Sequence, residues 1–268
     1  MTETQEKQLS DRIGFYVINL DRAVDRMERI EKDFASFPIP FIRVPAIEGK
    51  TLTLPIEGYD AVKFFFNTGR EAGPGEIGCY LSHLKVLKMF LESDKEFALI
   101  CEDDAMPISD SYEVLKQAVV HAETWDMLRL CTWRSDKSFP YRSLPLPNNT
   151  TAQYSLYTQI GCTLHAAAYV VNRCAADILV QKLTPMPDIY DQALFQGRVG
   201  VREATVFPNC FLWGEHSGNS TINVSNNVKR NWKPWHIVFW TRCFYRLRVR
   251  IVRYALQIFR ILRRRLGR

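Results

Sequence analysis

Two hydrophobic periods alternate along the first two thirds of the chain, and they predict strands and helices in turn. Residues 14–20 (GFYVINL) form a β-rich apolar run that ends in the polar residues Asn19, Asp21 and Arg22. Met27, Ile30 and Phe34 then recur at helical spacing as far as Ser36, with Asp25 as the expected cap and Pro38 and Pro40 as the stop. Residues 41–47 (FIRVPAI) read as a second strand, and the glycine-containing stretch 48–74 as a long irregular connection. From Gly75 the leucines at 81, 84, 87 and 91 mark one apolar helix face. The run FALIC at 97–101 is an apolar strand that passes directly into Glu102, Asp103 and Asp104. A helix at 109–121 and a strand at 125–131 follow. Residues 133–150, with three prolines, read as a loop long enough to be a lid. Further on come a strand at 166–171, a helix at 173–183, a short apolar turn at 193–195 and a final strand at 202–207.

Strands separated by helices imply an α/β protein with a mostly parallel sheet covered by helices. Ligands of such sheets bind beyond the carboxyl ends of the strands, which is where residues 19–22 and 102–104 fall.

Composition adds little until charge is divided along the chain. Hydrophobic residues at 47% and charged residues at 24% are ordinary for a globular protein and exclude general disorder. The polar, acid-bearing first eleven residues give no expectation of a leader peptide. Seven widely spaced cysteines without C-x-x-C predict buried thiols rather than a disulfide framework or a zinc finger. The net charge of +6 conceals an asymmetry. Residues 216–268 hold 13 of the 35 Lys and Arg and no acid, which leaves 22 bases against 29 acids in the body. The partners of the two parts are read separately.

Three adjacent carboxylates at a strand end repel one another unless a cation or an Arg compensates. A hard divalent ion such as Mg²⁺ or Mn²⁺ does so and also binds a diphosphate. In extended backbone Glu102 and Asp104 point the same way and can share that ion, while Asp103 faces elsewhere. A solvated acidic turn is the alternative. Arg22 and Arg26 beside the first strand suit phosphate contacts, or the face of a surface helix. Gly75 and Gly78 near a helix start suit close backbone approach to a phosphate, and Ser82 and His83 could touch a ligand or be structural. No Walker loop, G-x-G-x-x-G or G-x-S-x-G is present. Asp188 and Asp191 offer a general base, or a helix cap and an ion pair. Trp213 with the polar residues after it suits stacking on a sugar ring, or an ordinary surface loop.

Taken in order, YVINLDRAVDRMERI, GEIGCYLSHLKVL, ALICEDDA, AAAYVVNRCAADIL, PDIYDQALF and SGNSTI resemble glycosyltransferase family 25, the lipooligosaccharide galactosyltransferases, over about residues 13–225. The resemblance implies a GT-A-like fold over residues 1–228. It also implies inverting transfer of a hexose, galactose from UDP-galactose, to a lipooligosaccharide saccharide on a lipid carrier. Its site would place Glu102 and Asp104 on Mn²⁺ or Mg²⁺ and Asp103 near the donor sugar. Asn19, Arg26, Gly78, Ser82 and His83 would line the donor site, with Asp191 as base and Asp188 second. The motif begins with Glu where a strict D-x-D has Asp. A metal-dependent nucleotidyl or phosphoryl transferase and a non-catalytic, membrane-bound glycan-binding protein are the alternative classes.

Residues 229–268 form a basic tail. Arg242, Arg246, Arg250, Arg253, Arg260, Arg264 and Arg268 fall on one helical stripe, opposite Phe244, Leu247, Ile251, Tyr254, Ile258 and Ile261. Trp232, Trp235 and Trp240 precede or open it. This pattern predicts an amphipathic helix lying on an anionic membrane surface through residues 232–268, not a nucleic-acid arm. A helix packed on the acidic body is the other reading. The expected location is the cytoplasm, peripheral on the inner face of the cytoplasmic membrane.

Overall fold

The structure, a computed structural model, describes residues 9–132, 138–146, 152–159, 165–194, 200–213 and 235–266. The expectations that concern residues 133–137, 147–150, 195, 214–234 and 268 lie outside the described residues. Chain order is β1 (Ile13–Asn19), α1 (Val24–Asp33), β2 (Phe41–Pro45), α2 (Ala61–Thr68), α3 (Pro74–Glu92), β3 (Phe97–Glu102), β4 (Ala105–Pro107) and α4 (Ser111–Val120). There follow β5 (Met127–Arg129), β6 (Ser138–Leu144), β7 (Tyr154–Gln159), β8 (Ala168–Asn172), α5 (Arg173–Lys182), α6 (Tyr190–Leu194), β9 (Glu203–Phe207), β10 (Phe211–Trp213) and α7 (Trp235–Leu266).

Eight of these strands form a mixed, mostly parallel sheet in the order β2-β1-β3-β8-β5-β9-β7-β6, with only β8 and β7 reversed. β1 is buried along its whole length. Its alternating side chains feed two cores: Ile13, Phe15 and Val17 pack with α1 and α4, while Tyr16 and Ile18 pack with α3 and α5. Coverage on both faces explains why β1 and β3 read as continuous apolar runs rather than alternating ones.

Two segments differ from the sequence expectation. The 48–74 connection contains the helix α2, whose start is capped by Asp60 accepting from the Lys63 amide at 3.0 Å and whose end is a left-handed Gly69. Its apolar run Phe64–Phe66 is too short to show a period. Residues 138–144, read as lid, are an edge strand paired antiparallel to β7, and pairing over Pro140 is accommodated by a register shift. Asp25 sits in the first turn of α1 and does not cap it.

α3 starts one residue earlier than the leucine pattern suggests. Pro74 takes the first helical position, and the Glu76 carboxylate accepts from the Gly73 amide at 2.8 Å. α7 packs against α2 and β7. No described helix is long and apolar enough to cross a membrane.

Candidate active site

β1 and β3 are direct neighbours in parallel register, with Ile18 opposite Glu102. The polar ends of both strands therefore meet at one sheet edge. Immediately after Glu102 the chain turns and enters β4, which pairs with β10 in a separate two-stranded ribbon. The acidic triplet is thus held between two sheets.

Asp103 is the most heavily contacted of the three. Its carboxylate accepts from Asn19 Nδ2 at 2.9 Å and from Arg26 Nη1 at 2.8 Å, and its carbonyl accepts from Arg29 Nη2 at 2.8 Å. Arg43 in turn donates to Asn19 Oδ1 at 3.0 Å. Asn19 is 1% exposed and does not face the cavity described below. In this structure the Asn19 side chain, expected at the donor, bridges Arg43 and Asp103.

Glu102 accepts from His83 Nε2 at 3.1 Å, the imidazole Nδ1 lies 3.0 Å from the Tyr169 hydroxyl, and that hydroxyl lies 2.8 Å from the Tyr190 hydroxyl. One consistent assignment of donors runs Tyr190, Tyr169, His83, Glu102. Tyr190 also stacks on the imidazole with centroids 4.0 Å apart. Burial, the largest single influence, opposes ionisation of Glu102, but the His83 hydrogen bond together with the nearby His83, His165 and Arg26 charges outweighs it and the carboxyl lies below its ordinary range. Asp104 behaves oppositely. Burial, then repulsion by Glu102 and Asp103, pushes its carboxyl up to about 7. Its buried Oδ1 has no hydrogen-bond partner.

These groups open on a cavity of about 610 Å³ that Arg26, His83, the acidic triplet and Asp191 line together. Asp191 stands at the start of α6, where burial raises its carboxyl despite amide hydrogen bonds from Gln192 and His165 and the nearby Arg129 charge. His165 adopts a left-handed φ of 76°. In that conformation its amide reaches Asp191, its carbonyl accepts from the buried Arg129 at 2.8 Å, and its ring stacks on Trp213 at 4.8 Å. Both rings line the cavity. Asp188 does not line it and accepts from the Ile189 amide at 2.9 Å, so of the two base candidates only Asp191 faces the space.

Gly78, also expected at the donor, lies against backbone. A Cβ there would lie 2.4 Å from the Ile47 carbonyl oxygen, and one at Gly49 would lie 1.7 Å from the Pro74 carbonyl oxygen. Gly78 is needed for helix-to-backbone packing and is not a cavity-lining residue. Ser82 borders the cavity, yet its hydroxyl accepts from the Ile47 amide at 2.8 Å and donates to the Gly78 carbonyl at 2.6 Å. Its committed role is to join α3 to the 47–49 segment. Sequence reading missed Arg29, Arg43, Arg129, Tyr169, Tyr190 and His165, because no local pattern distinguishes them from surface or core residues.

An acidic turn beyond a parallel strand pair and a carboxylate from a later helix thus line one cavity. The chain belongs to glycosyltransferase family 25 (LPS biosynthesis protein), whose sequence model matches residues 12–194. Procollagen galactosyltransferase 1-A of Xenopus laevis is 27% identical over 208 residues, which cover 70% of this chain and 33% of that protein. Procollagen galactosyltransferase 2 of Homo sapiens is 28% identical over 162 residues, covering 55% of this chain and 26% of that protein. The chain thus spans a third or less of the length of these relatives. Among solved structures, the inositol-1-phosphate CTP transferase from T. maritima aligns at a TM-score of 0.39 and 11% identity, over 87% of this chain and 97% of that one. A likeness of that size carries no argument about activity.

Proposed function

We propose that this chain transfers galactose, with inversion, from UDP-galactose to a lipid-linked lipopolysaccharide-type saccharide at the cytoplasmic face of a membrane. The observation that carries the reading is the convergence of Glu102, Asp104 and Asp191 on one cavity within a family 25 sequence. The relatives' names favour galactose, and the family description favours the acceptor class.

The residues fit a hard divalent ion. Asp104 offers a buried oxygen that lacks a partner, and Glu102 is held ionised by His83, which occupies only Oε1. Glu102 and Asp104 would hold Mn²⁺ or Mg²⁺, which would supply charge neutralisation for the departing diphosphate. Arg26 keeps Asp103 fixed and borders the donor space. Asp191 takes the proton from the acceptor hydroxyl as it attacks the anomeric carbon. Its raised carboxyl is suited to that task, and the His165 amide and Arg129 hold it in place. Trp213 and His165 present flat apolar faces to a sugar ring.

The membrane part of the reading rests on α7. Phe244, Leu247, Ile251, Ile258 and Leu262 are exposed, as are Arg246, Arg248, Arg250 and Arg263. Arg260 donates to the Val201 carbonyl at 2.8 Å, and the Tyr245 hydroxyl reaches the Pro187 carbonyl at 3.4 Å. The helix contacts the body along one stripe and keeps an apolar face with basic flanks outward, the composition that suits an anionic lipid surface.

The test is release of UDP from UDP-galactose by the purified protein, with a lipooligosaccharide acceptor, in Mn²⁺ and in EDTA. Acceptor-stimulated release that requires metal and falls 10²–10⁴-fold in Asp191→Asn is expected. Full activity of Asp191→Asn would remove this residue as base, and no turnover with any UDP-hexose would overturn the reading.

A further inference from the structure

One wall of the cavity carries a set of possible ligands of which the proposed hard-ion chemistry uses only Glu102. Cys79 and His83 are four residues apart on α3 and so share one helix face. Glu102 approaches from the end of β3. The Cys79 sulfur, a His83 ring nitrogen and a Glu102 oxygen all lie within 4.8 Å of one another, and the three residues line the same cavity. Thiolate, imidazole and carboxylate together are the donor set of a soft or borderline ion and differ from the oxygen-only set that Mg²⁺ or Mn²⁺ prefers.

We propose that Cys79, His83 and Glu102 form a zinc-class site whose occupation inhibits the transferase by taking Glu102 from the catalytic ion. The surroundings fit a bound imidazole. With Nε2 on the ion, Nδ1–H donates to the Tyr169 hydroxyl 3.0 Å away, and that hydroxyl is itself backed by Tyr190. A ligating histidine commonly requires this kind of outer partner. The fourth position faces the cavity and takes water. Binding breaks the hydrogen bond between His83 and Glu102. It releases the thiol proton to solvent and leaves the imidazole neutral. The ligating form of a thiol is the thiolate, so uptake releases a proton and strengthens as pH rises. Two dications on one Glu102 repel, which makes occupation by zinc and by the catalytic ion antagonistic.

The inhibitory part rests on the proposed use of Glu102 in catalysis, whereas the binding part does not. Binding is measured on the full chain with Co²⁺, through the thiolate-to-cobalt charge-transfer band, in wild type and Cys79→Ser. It is also measured by zinc protection of individual thiols against alkylation, mapped by peptide mass, which needs no variant. A band that disappears in Cys79→Ser, with zinc protection at Cys79, is expected. Inhibition is read as Mn²⁺-supported UDP release against rising Zn²⁺. Cys79→Ser should keep its activity in Mn²⁺ and require roughly tenfold more Zn²⁺ for half-inhibition. An unchanged band and unchanged zinc sensitivity in the variant would overturn the proposal, as would absence of both band and protection in wild type. A band and protection without zinc inhibition would overturn the inhibitory part. Absent sugar-nucleotide turnover would count against the function reading, while the cobalt and alkylation results would still decide the site.

Discussion

Asp104 shows how one side chain can be costly to the fold and useful to the site. Its carboxyl titrates near 7 in the folded protein and at about 3.8 when the chain is unfolded. The folded state therefore holds the extra proton between these values, and stability falls as pH rises through that window. Asp104→Asn removes the repulsion. It should stabilise the metal-free protein at pH 8 by about 1–3 kcal/mol, discounted from the full shift for relaxation, and abolish stabilisation by Mn²⁺. Thermal melts with and without Mn²⁺ measure both effects, and an Asn variant that melts lower without metal would refute the account. Tyr169→Phe tests the neighbouring relay. Loss of its hydroxyl should weaken activation by Mn²⁺ about 10–100-fold while leaving metal-free UDP binding unchanged. Titration of activity against Mn²⁺ reads this directly. The triplet was legible in the sequence because its three members are adjacent. Tyr169, Tyr190 and Arg129 were not, since each earns its place through partners far away along the chain.

At the scale of elements, α3 sets the geometry. It carries Cys79, Ser82 and His83 toward the cavity, and its seating depends on missing side chains. Gly78→Ala would force a methyl group against the Ile47 carbonyl. A destabilisation of about 1–3 kcal/mol is expected, with activity lost in proportion to folded fraction rather than through donor affinity. Denaturant unfolding alongside UDP affinity separates the two. The sequence located this helix through leucines recurring at 81, 84, 87 and 91, although the helix is buried on more than that face, and it read the glycine as a phosphate contact. Pattern alone cannot tell backbone approaching backbone from backbone approaching ligand. α2 and β6 escaped for a related reason: eight residues with three adjacent phenylalanines have no period, and a proline-containing edge strand resembles a loop.

For the whole molecule, the proposed reading gives the acidic body and the basic α7 separate tasks. On an anionic surface each arginine near the lipid contributes about 1 kcal/mol. Arg248→Gln with Arg250→Gln should therefore lower partitioning onto phosphatidylserine vesicles about 30-fold, leaving UDP release in solution unchanged. Raising salt should have the same direction of effect. Sedimentation with vesicles measures both, and partitioning indifferent to charge would leave only the apolar face to account for it. The alternation of strands and helices announced an α/β fold. The strand order did not follow from it, because the adjacency of β1 and β3 and the reversal of β8 arise from long-range pairing.

The β4–β10 ribbon has a consequence for how the chain is made. The turn that bears Asp103 and Asp104 is fastened on its far side by Phe211–Trp213, about a hundred residues downstream. A chain emerging from the ribosome can build β1, β2, β3 and α3 early, and with them the Asn19, Arg26 and His83 contacts of the acidic turn, but the ribbon on its far side forms only after β10 has been synthesised. Asp191 also arrives late. The nascent protein thus acquires one side of the acidic turn well before the other, and a chain stalled before residue 211 leaves that turn fastened on one side alone.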